Sequence, residues 1–274
     1  MRRACGRSRL AHEGPDRLGL VPSMGALHAG HLSLVRRARQ ECGVVVATIF
    51  VNPLQFGACE DFERYPRQTK EDCALLESEG VDLIFLPEVE EMYPQGATTT
   101  IDVAGPANRL DGAHRPGHFC GVATVVAKLF HIVGAERAYF GQKDAVQVAV
   151  LRQMIRDLNF TTELVACPIV RDEDGLALSS RNVYLSAAER RQALAIPRSL
   201  ETMQELLADG RRDAASVLRA GTSVLNREPG LRLEFLEAVD PDSLETVRSV
   251  VPGTLVAVAA KVGKTRLIDN FLAV

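Results

Sequence analysis

Apolar positions along this chain fall into two rhythms that alternate through its first 170 residues. Leu18, Leu20 and Val21 form a short run of strand formers, and Leu32, Leu34, Val35 and Ala38 then recur at helical spacing beneath a basic face of Arg36, Arg37 and Arg39. Val44 to Val51 is an unbroken, mostly β-branched run, the pattern of a strand buried on both faces of a parallel sheet. Asp61 to Glu79 carries helix-like spacing, Gly80 closes it, and Val81 to Leu86 predicts the next strand. Val122 to Val133 is apolar throughout and predicts a buried helix, with a strand as the alternative its β-branched content allows. A short strand over Arg137 to Phe140, a helix over Val146 to Leu158 and a strand over Leu164 to Val170 complete the series. Such alternation predicts an α/β, doubly wound parallel sheet with ligands at the carboxyl ends of its strands.

Beyond residue 172 the texture changes. Glu189 to Leu207 and Ala214 to Leu225 predict surface helices, and Arg232–Val239, Leu255–Ala260 and Thr265–Asp269 predict three strands. The expected organisation is therefore an N-terminal ligand-binding domain over 1–172 and a smaller C-terminal α+β domain over 173–274, packed on the first as a lid. Repeats, low-complexity tracts and a long linker are absent from the sequence.

Composition narrows the function classes. A net charge of −3 and a pI near 6.1 point to neither a nucleic-acid nor a membrane surface. The basic N-terminus is not followed by an apolar stretch long enough for a signal peptide or a membrane span. Cys5, Cys42, Cys59, Cys73, Cys120 and Cys167 lack C-x-x-C spacing, which suits reduced thiols in a cytosolic protein. Lysine occurs only at Lys70, Lys128, Lys143, Lys261 and Lys264, so a lysine inside a motif carries weight.

Five segments carry candidate chemistry. Pro22 to Val35 places His28 and His31 around Gly30 where a strand feeds a helix. Unpaired amides and the positive end of the helix dipole suit an anion there, and the glycine allows a nucleotide close to the backbone. Phe50-Val-Asn-Pro-Leu-Gln-Phe56 offers the neutral amides of Asn52 and Gln55, suited to a hydroxy acid. In Arg115-Pro-Gly-His-Phe-Cys-Gly-Val122, Arg115 or His118 either meets an anion or is a satisfied loop residue. Phe140-Gly-Gln-Lys-Asp144, followed by Gln147, puts a phosphate-holding lysine and a ribose-binding acid at a strand end. Arg171 to Asn182 supplies Ser179, Ser180 and Arg181 as a phosphate clamp, and its Asp172-Glu-Asp174 run is either a magnesium contact or a hydrated surface.

In this order and at these intervals the five segments closely resemble the pantoate–β-alanine ligase family, from about Leu18 to Asn270. His-x-Gly-His is also the signature of class I aminoacyl-tRNA-synthetase-like nucleotidyltransferases, so the resemblance implies a Rossmann-like fold. It implies an AMP-forming ligase that couples pantoate to β-alanine through pantoyl adenylate. Met24, Gly25, Ala26, Leu27, His28, Ala29, Gly30, His31, Gly141, Gln142, Lys143, Asp144, Val170, Leu178, Ser179, Ser180 and Arg181 match the family's ATP site. Gln55, Gln147 and Asn52 fall on the pantoate side, with Gln55 also near β-alanine. His31, His28 and Lys143 are the expected catalytic groups, with His31 as a proton donor and magnesium bridging the ATP phosphates. A cytoplasmic homodimer acting on small molecules, with no nucleic acid or membrane partner, completes what the likeness implies.

Three departures mark this chain. Ser23 replaces the usual threonine, and Ala145-Val146 replaces an aromatic residue and a glutamine ahead of Gln147. Only Met1 to Asp16 precede the first strand, where the family usually has another strand and most of a helix, which suggests a natural start upstream of Met1. Two rival readings are another nucleotidyltransferase of the superfamily and a degenerate paralogue that binds without catalysis. The neutral amides weigh against the first and the retained phosphate contacts against the second.

Overall fold

The computed structural model describes residues 17–57 and 62–274. The basic N-terminus, Cys5, Cys59 and Asp61 lie outside the described residues. The first unit runs β1 (Leu18–Ser23), α1 (Ala29–Glu41), β2 (Val44–Ile49), α2 (Thr69–Ser78), β3 (Leu83–Phe85), α3 (Val89–Met92), α4 (Asp111–His114), α5 (His118–Val133), β4 (Arg137–Gly141), α6 (Ala145–Asp157) and β5 (Glu163–Cys167). Its strands form one all-parallel sheet of order β3-β2-β1-β4-β5, the doubly wound arrangement expected from the alternation. The order reverses between β1 and β4, the place where such sheets open a crevice for ligand. Four of the five motif segments leave the carboxyl ends of β1, β2, β4 and β5.

The remainder comprises α7 (Ala187–Ala193), α8 (Ala195–Ala208), α9 (Ala214–Leu225) and an antiparallel meander of β6 (Leu231–Val239), β7 (Leu255–Val262) and β8 (Thr265–Leu272). Central β7 explains why its sequence is apolar throughout. Leu255, Ala257 and Ala259 join the core of the parallel sheet, whereas Val256, Val258, Ala260 and Val262 pack under α8 and α9. The two-residue period of a strand thus ties the meander to both layers. Among the described residues no helix is long and apolar enough to cross a membrane.

Prolines account for the main departures from the predicted boundaries. The expected helix over 61–79 is confined to α2, and Phe62 to Tyr65 form a turn instead. Pro66 disfavours helical backbone at Tyr65 and offers no N–H, so the helix starts three residues later. The single helix expected over 189–207 is two, α7 and α8, because Pro197 cannot donate to the Ala193 carbonyl four residues back. Pro168 likewise ends β5 at Cys167, short of Val170. The apolar segment from Val122 is helical, and α5 starts earlier, at His118. Gly121 lets that helix press on the second motif, since a Cβ there would lie 2.3 Å from the Leu54 carbonyl oxygen.

Candidate active site

Residues 24–31 cross from β1 into α1 through a tight turn in which Gly25 and Ala26 take φ of +80° and +52°. Asp72 on α2, only 1% exposed, holds that turn. Its two carboxylate oxygens accept the Ala26 and Leu27 amides at 2.9 and 2.8 Å. The expectation of free amides is therefore corrected here. The His28 and Gly30 amides are also engaged, the first donating to His31 Nδ1 at 3.3 Å and the second to His28 Nδ1 at 3.1 Å. The two histidines cap the helix N-terminus in place of the usual serine or aspartate. Gly30 is required for a reason other than nucleotide approach alone: a Cβ would stand 2.9 Å from the His28 ring.

That capping fixes a tautomer. With both Nδ1 atoms accepting backbone N–H, each neutral imidazole carries its proton on Nε2. The rings lie against each other at a 42° tilt with centroids 4.1 Å apart. Burial, followed by the nearby Lys143, lowers the His28 pKa from 6.5 to about 4; burial, followed by His28, lowers that of His31 to about 3. Near neutral pH these lowered values leave both imidazoles uncharged. Burial thus moves His31 away from the ordinary histidine pKa on which the proton-donor expectation rests. The cap leaves each Nε2–H as the ring's donor.

The shifts predict how the apo protein responds to pH. Between the ordinary pKa of 6.5 and the lowered values of about 4 and 3, the unfolded chain binds protons that the folded chain refuses. Stability gained from this pair is thus present above pH 6.5 and lost as pH falls toward 4. Chemical denaturation at several pH values should show this decline, and His31→Gln should flatten it; an equal decline in the variant would remove His31 from the account.

One cleft gathers Met24, His28, Gly30, His31, Gly141, Lys143, Asp144, Val170, Leu178, Ser179, Ser180 and Arg181 from the expected ATP set. Gly25, Ala26, Leu27, Ala29 and Gln142 are outside its lining: the first three shape the turn, Ala29 faces solvent, and the Gln142 amide donates to Asn270. Lys143 Nζ lies 3.7 Å from Asp144 Oδ1, with the lysine largely covered and the acid half-exposed. Leu34, Tyr65, Pro168 and Ile169 also line the cleft and lie outside the expected set. Pro168 to Val170 supply apolar lining.

Among the described residues, acidic side chains do not converge on a resident metal site. Asp172 and Asp174 are both committed to Arg190, at 2.6 and 2.8 Å. Among the described residues no cluster of three or more His, Cys, Asp or Glu side chains could hold a metal ion. Mg²⁺ is commonly held through substrate phosphates and its own waters with few protein ligands. The donor set fits an ion that arrives on a nucleotide.

The neutral amides lie beside the cleft. Gln55 is 9% exposed, and its Nε2 sits 2.9 Å from Met24 Sδ. Asn52, 1% exposed, donates to Gln55 Oε1 and to the Gly121 carbonyl at 3.1 Å each. Its Oδ1 accepts from Tyr93 Oη at 2.8 Å and from the Leu54 amide at 3.3 Å. All these bonds are internal, so Asn52 acts on the shape of the site through Gln55. His118 takes the satisfied-loop alternative: Nδ1 donates to the Gln55 carbonyl at 2.7 Å, and Nε2 accepts from Arg115 at 2.9 Å. Gln147 is half-buried in the first turn of α6, just after Lys143 and Asp144.

Comparisons with known proteins agree with this geometry. A family model described as Pantoate-beta-alanine ligase matches residues 1–272. The pantothenate synthetase of Acidobacterium capsulatum is 62% identical over 259 residues, covering 94% of this chain and 87% of its own. A crystal structure of pantothenate synthetase from Thermus thermophilus superposes with a TM-score of 0.91 at 52% identity, covering 94% of this chain and 93% of that one. The pantoate-beta-alanine ligase of Francisella tularensis, complexed with beta-gamma ATP and beta-alanine, gives 0.75 at 35% identity, covering 94% and 90%. With the motif loops gathered at the carboxyl ends of this sheet and the match running through nearly every residue, the chain belongs to the pantoate–β-alanine ligase family.

Proposed function

We propose that this ligase activates pantoate at the α-phosphate of ATP in the cleft between β1 and β4, and then transfers the pantoyl group to β-alanine. The observation that carries the assignment is the convergence of His28, His31, Lys143, Ser179, Ser180 and Arg181 on one cleft flanked by neutral amides. Adenine lies along Pro168 to Val170, and Asp144 takes the ribose hydroxyls. The pantoate carboxylate attacks the α-phosphorus, and the bond to pyrophosphate breaks. Negative charge grows on the α-phosphate and on the leaving group. Two Nε2–H donors, the Lys143 ammonium and the 179–181 clamp meet it from fixed positions, so little reorganisation accompanies the reaction. Mg²⁺ supplies charge neutralisation between the ATP phosphates when it is bound. The β-alanine amine then attacks the acyl carbon and AMP leaves.

Gln55 and Gln147 hold pantoate, with Gln55 also near β-alanine and Asn52 keeping Gln55 in place. We further place the division between the nucleotide-binding and lid parts at residues 172/173, and infer a cytoplasmic homodimer, a stoichiometry that light scattering tests. Incubation with pantoate, β-alanine and ATP should yield pantothenate and AMP in equal amounts; ADP as co-product would refute the assignment. Gln55→Ala should raise the pantoate KM roughly 10-fold, the worth of one hydrogen bond, with the ATP KM near normal. A lost ATP site with intact pantoate use would reverse the assignment.

A further inference from the structure

The end of β8 carries two buried polar residues in succession, Asp269 and Asn270, each 2% exposed. Consecutive residues on a strand point to opposite faces, and these two reach different loops, Asn270 the turn at Lys143 and Asp269 the loop at Arg171 that leads to Leu178. The Asn270 Nδ2 donates to the carbonyls of Gln142 and Lys143, both at 3.0 Å, and its Oδ1 accepts from Gln142 Nε2 at 3.2 Å. All three of these bonds go to the turn that presents Lys143. Asp269 receives both Nη atoms of Arg171, at 2.6 and 2.9 Å, and its Oδ1 also accepts the Asn270 amide at 2.8 Å. Arg171 in turn donates to the Gly175 carbonyl at 3.1 Å and bridges to Ala177. The Leu178 amide bonds the Val170 carbonyl at 3.0 Å, closing the loop that delivers Ser179 to Arg181.

We propose that Asp269 and Asn270 are positioning residues that fix the gap between the Lys143 wall and the 178–181 wall, so that both engage one triphosphate. The proposal deepens the functional reading above and rests on it. Two adjacent residues on one strand set both anchor points. The spacing of the walls is therefore fixed by covalent geometry across about one residue, although the loops lie far apart in sequence. A shift of about 1 Å in a charge-stabilising group can lower turnover by about 100-fold, which is why so small a brace matters to the chemistry.

ATP affinity by calorimetry and steady-state kinetics on folded Asn270→Ala protein test this. The expected result is ATP binding weakened about 10-fold and kcat lowered by a similar factor or more, with the pantoate KM within about 2-fold of normal. Lys143→Ala should then cost clearly less in the Asn270→Ala background than in the parent, because the lysine has already lost its place. Should Asn270→Ala fail to fold, Asn270→Ser, which keeps one donor for the two carbonyls, carries the same measurements at a smaller shift. Unchanged ATP affinity and full additivity with Lys143→Ala, whatever the thermal midpoint, would reduce the pair to a structural role and overturn the proposal. A parent protein with no ATP affinity would instead sink the functional reading itself, and the brace with it.

Discussion

Alanine at Lys143 should lower kcat by about 100-fold or more while raising the ATP KM by a smaller factor, the expected cost of removing one preorganised stabiliser of developing charge. The substitution isolates chemistry from folding. The lysine's backbone carbonyl keeps its bond from Asn270, and its side chain pairs only loosely with Asp144 at 3.7 Å. His31→Ala should lose turnover on the same scale, but it also removes the acceptor for the His28 amide. His31→Gln separates the two roles. Its amide N–H can replace the Nε2–H donor without being able to transfer a proton, so it should retain more activity than the alanine variant. Steady-state rates with saturating pantoate and β-alanine check both. Near-normal kcat in Lys143→Ala would remove the lysine from the transition state, and equal loss in His31→Gln and His31→Ala would favour proton transfer over hydrogen bonding.

Asp72→Ala should cost about 2–5 kcal/mol of folding free energy, because two buried amides, of Ala26 and Leu27, lose their acceptors together. For a chain of this size that lowers the thermal midpoint by roughly 4–9 °C. The turn it releases precedes His28 directly, so activity should fall further than the loss of folded protein explains. Asp72→Asn keeps one acceptor oxygen and should lie about midway in stability. A midpoint unchanged in Asp72→Ala would mean that the positive φ values at Gly25 and Ala26 do not depend on the carboxylate.

The parts of the fold that were legible are those whose burial is symmetric. β1, β2 and β4 sit inside a parallel sheet, so their sequences read as short apolar runs, and the motif loops follow directly from their carboxyl ends. Helix limits were less legible where a proline interrupts an otherwise periodic pattern, as at Pro66 and Pro197. The braces of the site were not legible at all. Asp72 serves amides 45 and 46 residues away, and Asn270 serves carbonyls 127 and 128 residues away. Spacing along the chain cannot report such partners. A weaker signal was present: Asp72 shares a helical stripe with buried Leu76, and Asp269-Asn270 interrupts the apolar run from Leu267 to Phe271. A polar residue on a buried stripe needs a partner, and here each partner is a loop of the active site. The histidines show the converse. Their place was legible from His-x-Gly-His, whereas their lowered pKa values follow from burial that only the fold reveals.

The cleft is expected to form a pantoyl adenylate before β-alanine takes part. Labelled pyrophosphate supplied with ATP and pantoate, in the absence of β-alanine, isolates that half-reaction. Label should enter ATP, omitting pantoate should abolish this, and Lys143→Ala should suppress it about as strongly as it suppresses pantothenate formation. Exchange that appears only when β-alanine is present would contradict it.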